Sequence, residues 1–278
     1  MVLAGCGSSK PRDAAMVFVS SRDGDYALFG VDAGDKHEWR LTKEKGDPST
    51  PAGLFFQLQP SWSPDGRSIA FASKRDGHFH VYVMPAAGGD ARRLTSGPDD
   101  DTRPSWSPDG KRIAFARRGE VYAIPAAGGK PGQITRELGG DAGDPAWSPN
   151  GKLIAYDYRE PGFSSREVWV VDGDGSHPRQ VTHLKHESGL PSWSPDGKRL
   201  AFQSNLRGQH FEIYTIALDG RGLRIETATS TDTIDPAWSP GGGRIAFSRD
   251  GSIQAVDRGR SSEQLTSGKN DSSPAWRP

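Results

Sequence analysis

A single cysteine, Cys6, stands among 278 residues. It leaves no partner for an internal disulfide and excludes a multi-cysteine zinc site. No run approaches the roughly 20 apolar residues that a membrane-spanning helix needs. An excess of one charge is lacking too: 35 basic residues balance 35 acidic ones. No global field therefore draws nucleic acid or an anionic membrane surface. The sequence also lacks a G-x-S-x-G nucleophile elbow, the signature of α/β-hydrolase chemistry. What is plentiful is turn chemistry, with 35 Gly and 21 Pro, and bulky core material, with 8 Trp and 11 Phe.

That material is arranged as a repeat. The heptapeptide PSWSPDG occurs unchanged from Pro60, Pro104 and Pro191. The shorter signature P-x-W ends at Trp62, Trp106, Trp147, Trp193, Trp238 and Trp276, with spacings of 44, 41, 46, 45 and 38 residues. Periods of about 40–45 residues mark propeller blades. Behind each of the first five Trp residues comes S-P-D-G or a variant. Proline presets φ for a turn, aspartate bonds its own backbone, and glycine accepts positive φ. An apolar triplet follows, beginning at Ile69, Ile113, Ile154, Leu200 and Ile245. Consecutive apolar residues mean a strand covered on both faces. A third strand (VYVM from Val81, VYAI from Val121, VWVV from Val168, IYTI from Ile213) and a fourth ending in Thr95, Thr135, Thr182 or Thr266 complete each unit.

The two ends complement each other. MVFVSS at 16–21, YALFGVD from Tyr26 and EWRLT at 38–42 supply a second, third and fourth strand, and PAWRP at 274–278 supplies a first. The sequence thus predicts an all-β fold, a six-bladed β-propeller of four-stranded antiparallel blades, closed by the C-terminal strand joining the N-terminal blade. Residues 16–278 form the propeller and residues 1–15 a leader remnant and tether.

The stretch from Pro60 to Thr95 resembles the PD40 (WD40-like) repeat of TolB-type propellers, and the likeness recurs in every blade. The departures are PAWSPGGGR in place of Asp-Gly, Asn150 in place of Asp, and RIET where Leu-Thr is usual. LAGC at 3–6, followed by GSSK, resembles a bacterial lipobox, which implies lipidation at Cys6. Together these resemblances imply a protein outside the cytoplasm, lipid-anchored to the bacterial cell envelope. They also imply a protein or small-ligand partner in that envelope and no membrane contact except through Cys6.

Subtracting the scaffold leaves the loops that join blades, which differ from one another, as binding specificity requires. The first connection has seventeen residues between Thr42 and Pro60, whereas the others have seven to nine. It carries Leu54, Phe55 and Phe56, an apolar cluster read either as a cover over the first blade or as a partner contact. Arg75, His78, Arg166 and Arg207 fall on the same face and join the partner-binding set. Asp101, Asp144, Glu187, Asp235 and Asp271 precede the P-x-W motifs, so their carboxylates are expected to ring the channel mouth, where a cation or a basic partner group would neutralise them. His183, His186 and His210 are the weak candidates for a metal.

The function expected is a monomeric binding module without a cofactor, engaging its partner at the inter-blade loop face and channel mouth. The alternative is a lyase or hydrolase for a glycan or peptide fragment in that mouth.

Overall fold

A computed structural model of the protein describes residues 14–32, 34–42, 57–136, 139–257, 261–268 and 270–278. Among them are six four-stranded antiparallel sheets and no helix. The inner strands are Gln57–Trp62, Asp101–Trp106, Asp141–Trp147, Ser188–Trp193, Thr233–Trp238 and Asp271–Trp276. Each touches the next, and the last touches the first, so they line a closed ring. Blade 1 is built from both ends of the chain, with Asp271–Trp276 paired to Met16–Ser20, then Ala27–Val31 and Glu38–Arg40. Blades 2 to 6 follow in chain order.

Six hydrophobic clusters fill the six gaps between blades. One joins Ala70 and Val81 of blade 2 to Ile113, Phe115 and Ile124 of blade 3. Another joins Met16 and Phe18 of blade 1 to Ala246 and Ile253 of blade 6. The apolar triplets lie at these interfaces, and Ile69, Ala70 and Phe71 are fully buried. A single blade would leave such a strand wet on both faces, so the blades stabilise one another as a set.

Polar atoms of the repeat are also committed. In each blade the threonine after the fourth strand accepts a hydrogen bond from the start of the third. Thr42 accepts from the Leu28 amide at 3.2 Å, Thr95 from Val81 at 3.0 Å and Thr135 from Val121 at 2.8 Å. Thr182 serves Val168, Thr227 serves Ile213 and Thr266 serves Ile253. The RIET variant therefore keeps the atom that matters. Thr182 also donates to Glu167 Oε2 at 2.5 Å. Thr182→Val, which removes both bonds at a buried site, is expected to cost about 1–3 kcal/mol, visible as a lower Tm with an unchanged far-UV spectrum.

The middle residue of P-x-W selects how neighbouring inner strands are stapled. Where it is serine, its Oγ accepts from the main-chain amide of the next tryptophan: Ser61 from Trp106, Ser105 from Trp147 and Ser192 from Trp238, at 3.1–3.2 Å. Where it is alanine, the next indole Nε1 donates instead to the alanine carbonyl. Those bonds run from Trp193 to Ala146, Trp62 to Ala275 and Trp276 to Ala237, at 2.9–3.1 Å.

In the S-P-D-G turn, Ser63 Oγ donates to Asp65 at 2.6 Å and accepts from the Ser68 amide at 2.9 Å. Asn150 takes the aspartate's place against Ser148. The glycine variant in blade 6 retains the amide bond from Arg244 to Ser239 Oγ.

Candidate functional site

The end of the ring that faces the inter-blade loops is shaped by a β-bulge in every inner strand. Between Leu58 and Ser61 the inner strand spends three steps while its partner spends two, from Ala72 to Ala70. The same shift recurs in the other five blades. The extra residue stands directly before the proline of P-x-W. In all six blades it is a non-glycine residue in the left-handed region: Gln59, Arg103, Asp144, Leu190, Asp235 and Ser273, with φ between 48° and 57°. A bulge of this kind re-aims a side chain. These six, with the six prolines behind them, line a 130 Å³ cavity on the ring axis.

Arg103 dominates this axial ring. Its Nε lies 2.7 Å from Asp144 of the neighbouring blade, and Nη1 lies 3.8 Å from Asp235 on the opposite side of the ring. Its amide donates to Gln59 Oε1 at 2.9 Å. Asp235 Oδ2 accepts further bonds from the Ser273 amide at 3.1 Å and from Ser248 Oγ at 3.4 Å. The positive group expected between the carboxylates is thus supplied by the chain's own guanidinium.

The five acidic residues expected at the mouth go to three different places, sorted by their offset from proline. Asp144 and Asp235, one residue before it, reach the axis. Glu187, four before, sits on the rim of an off-axis cleft, where it accepts from the Arg166 amide at 3.1 Å. Asp101 and Asp271, three before, depart from the expectation, because their position in the ladder turns them into the blade interior. Asp101 is fully buried and takes two hydrogen bonds from Arg117, at 2.5 and 2.8 Å. Asp271 is held by Arg22 at 2.8 and 2.9 Å and by Thr266 at 2.6 Å.

The off-axis cleft, 460 Å³, opens between the inner strands of blades 3, 4 and 5. Its floor is Asp157, which is 3% exposed. Arg166 Nη1 donates to Asp157 Oδ1 at 2.8 Å and its other nitrogen pairs with Asp141. Burial pushes the Asp157 carboxyl well above the usual carboxylate range, and the adjacent Asp144 charge adds to the shift; Arg166 and Arg103 act against it.

The other candidates lie around this site. Arg75 stacks over Tyr82 at 4.5 Å and reaches Ser73 within its own blade. His78 is half exposed beside Asp100 at 3.5 Å, and Arg207 is exposed. The three histidines are not brought together. His183 lines one surface cleft, His210 another beside Asp232, and His186 is exposed. Among the described residues no group of three His, Cys, Asp or Glu side chains is placed to hold a metal. Leu54, Phe55, Phe56 and Cys6 lie outside the described residues. Sequence reasoning missed Arg103 and Asp157. The signal for Arg103 was its place directly before a repeated proline. For Asp157 it was the polar residue after IAY, where blades 2 and 3 have alanine.

Comparison with known proteins agrees with this architecture. The Tol-Pal system protein TolB of Syntrophus aciditrophicus is 33% identical over 85 residues, 30% of this chain and 18% of that protein. A Bacillus subtilis protein called uncharacterized peptidase YuxL is 43% identical over 58 residues, 20% of this chain and 9% of that one. The chain thus matches less than a fifth of the length of either relative. The crystal structure of TolB from Acinetobacter baumannii superposes with a TM-score of 0.78 at 21% identity, covering 95% of this chain and 66% of that one. The model of the PD40 family, the TolB beta propeller domain, matches residues 4–120, 54–160 and 133–278. With nearly every residue inside that match and all six blades built alike, the chain belongs to the PD40 family of TolB beta propeller domains.

Proposed function

We propose that this propeller is an extracytoplasmic binding module of the bacterial cell envelope, engaging a protein or small ligand through its inter-blade loop face and channel mouth. The observation that carries the reading is the axial ring. Six positions share one backbone geometry, yet hold six residues of which only the two aspartates are alike. A scaffold that fixes the backbone and varies the side chain is what recognition needs. The resemblance to TolB, named for a Tol-Pal system, supports an envelope setting, with Cys6 as the lipidated anchor. Leu54, Phe55 and Phe56 are proposed as an apolar contact for the partner.

The test uses the purified full chain as immobilised bait for envelope extract of the source organism, beside an Arg103→Ala/Asp235→Ala variant. One component retained by the first bait and lost from the second is the expected result. Equal retention by both baits would move the binding surface away from the axis. Retention by neither would turn attention to an enzyme acting in the mouth, tested with glycan and peptide fragments. Separately, labelled palmitate is expected to enter the wild-type chain in a bacterial host and not the Cys6→Ser chain.

A further inference from the structure

Asp157 occupies a second-strand position that the other blades fill with Val19, Ala72, Ala116, Gln203 and Ser248. It is the one carboxylate among the six. Two glycines make room for it. Gly143 stands opposite in the ladder, where a Cβ would come within 3.0 Å of Oδ1. Gly189, on the inner strand of the next blade, leaves space where a Cβ would come within 2.5 Å of Oδ2. The carboxyl is therefore built into the seam between blades 4 and 5, and Asp144, the residue after Gly143, lines the same cleft beside it.

The charged groups around the pair come from every neighbouring element. Its own inner strand supplies Asp141, which is held by Arg159 and Arg166. The residue just before the third strand, Arg166, bonds Asp157 directly. Blade 5 supplies Glu187, whose oxygen lies 3.8 Å from Arg166 Nε. Blade 3 supplies Arg103 on Asp144, and its Arg117 and Arg118, also on the cleft wall, are engaged by Asp101 and Asp99. Beyond Arg103 stands Asp235. Burial and the Asp144 charge keep a proton on Asp157 at pH values where an ordinary aspartate has lost it.

We propose that the Asp144–Asp157 pair is a proton-operated latch beside the axis of the ring. While Asp157 holds its proton, the two aspartates carry one negative charge, and Arg103 divides itself between Asp144 and Asp235 across the axis. When the proton passes to solvent through the cleft, two negative charges stand on one side of Arg103. The guanidinium is drawn off Asp235 and the bridge across the channel mouth opens. Only the O–H bond and hydrogen bonds change. Use of the latch to control ligand entry rests on the binding role proposed above; the latch itself does not.

The experiment follows the Arg103 Nε–H signal by NMR in the full chain from about pH 4 to about pH 9, assigned by its loss in Arg103→Lys. In the wild type the signal is expected to move with a midpoint above the ordinary aspartate range. In Asp157→Asn, which keeps a neutral hydrogen-bonding side chain, it is expected to stay at its low-pH position. Asp144→Asn, which removes the like charge, is expected to lower the midpoint. Melting gives a second readout. The folded-state value of Asp157 lies above the unfolded one, so its stabilisation is present at low pH and lost as pH rises through the folded value. The wild type should therefore fall about 5 °C below Asp157→Asn at alkaline pH, with the two equal near pH 4. A signal that moves alike in wild type and Asp157→Asn, titrates in the ordinary aspartate range, or does not move would overturn the latch. Such a result leaves ligand capture by the bait unaffected, and failure to capture a ligand leaves the Arg103 titration readable.

Discussion

Removal of residues 271–278 is expected to unfold the whole ring rather than trim one edge. The deleted segment is the inner strand of blade 1, and its loss leaves Met16–Ser20 as an open edge beside the channel. Trp276 loses its packing on the blade 1–blade 6 cluster and its bond to the Ala237 carbonyl. Trp62 loses its acceptor, the Ala275 carbonyl, and the Arg277 guanidinium that lies 5.5 Å from its ring centre. Arg22 loses Asp271, and the Ala15 carbonyl loses the Arg277 amide. Large-to-small loss of a fully buried tryptophan costs about 3–5 kcal/mol, and Trp276, which is partly buried, contributes a share of that beside the lost strand pairing. A domain has only about 5–15 kcal/mol in total, so the truncated chain should show no cooperative melting transition above room temperature. Circular dichroism with heating checks this. A wild-type Tm for the truncated chain would mean that the ring holds without its shared blade.

The second large effect concerns Asp101. Its carboxylate is wholly buried, with Arg117 as bidentate partner and His80 3.5 Å away. Arg117→Ala leaves that charge without its guanidinium in a site water does not reach. Breaking a buried pair from one side costs about 3–5 kcal/mol. Arg117 also covers Phe115 at 5.2 Å and Tyr122 at 5.4 Å, so some of the loss is packing. The double change Asp101→Asn/Arg117→Met removes both charges and retains bulk. It should recover much of the stability in urea denaturation. A double variant no more stable than Arg117→Ala would mean that packing, not the stranded carboxylate, carries the cost. Arg22 and Asp271 make the equivalent pair at the closing seam, so the same substitutions there should behave alike.

Much of this molecule was legible because its repeat is regular. Blade number, strand order and closure follow from spacing, turn chemistry and two fragments that sum to one blade. The terminal threonine of each unit could be seen in the sequence, though not its bond to the third strand. The PSW and PAW variants were visible as text, and only the assembled ring shows that they exchange a hydroxyl acceptor for a carbonyl one.

The site is another matter. One, three and four residues before proline look equivalent along a chain. The bulge makes them different, sending Asp144 and Asp235 to the axis, Asp101 and Asp271 into the blade, and Glu187 to a cleft rim. Asp157 is simply the residue after the IAY triplet in the sequence. Its burial depends on Gly143 and Gly189, which come from different blades and meet only around the ring. Local sequence determined how each blade is made, because turns and strand alternation act over a few residues. The tertiary structure decided which carboxylates face water, which face an arginine and which face each other, because the distances that set those energies exist only after six blades close.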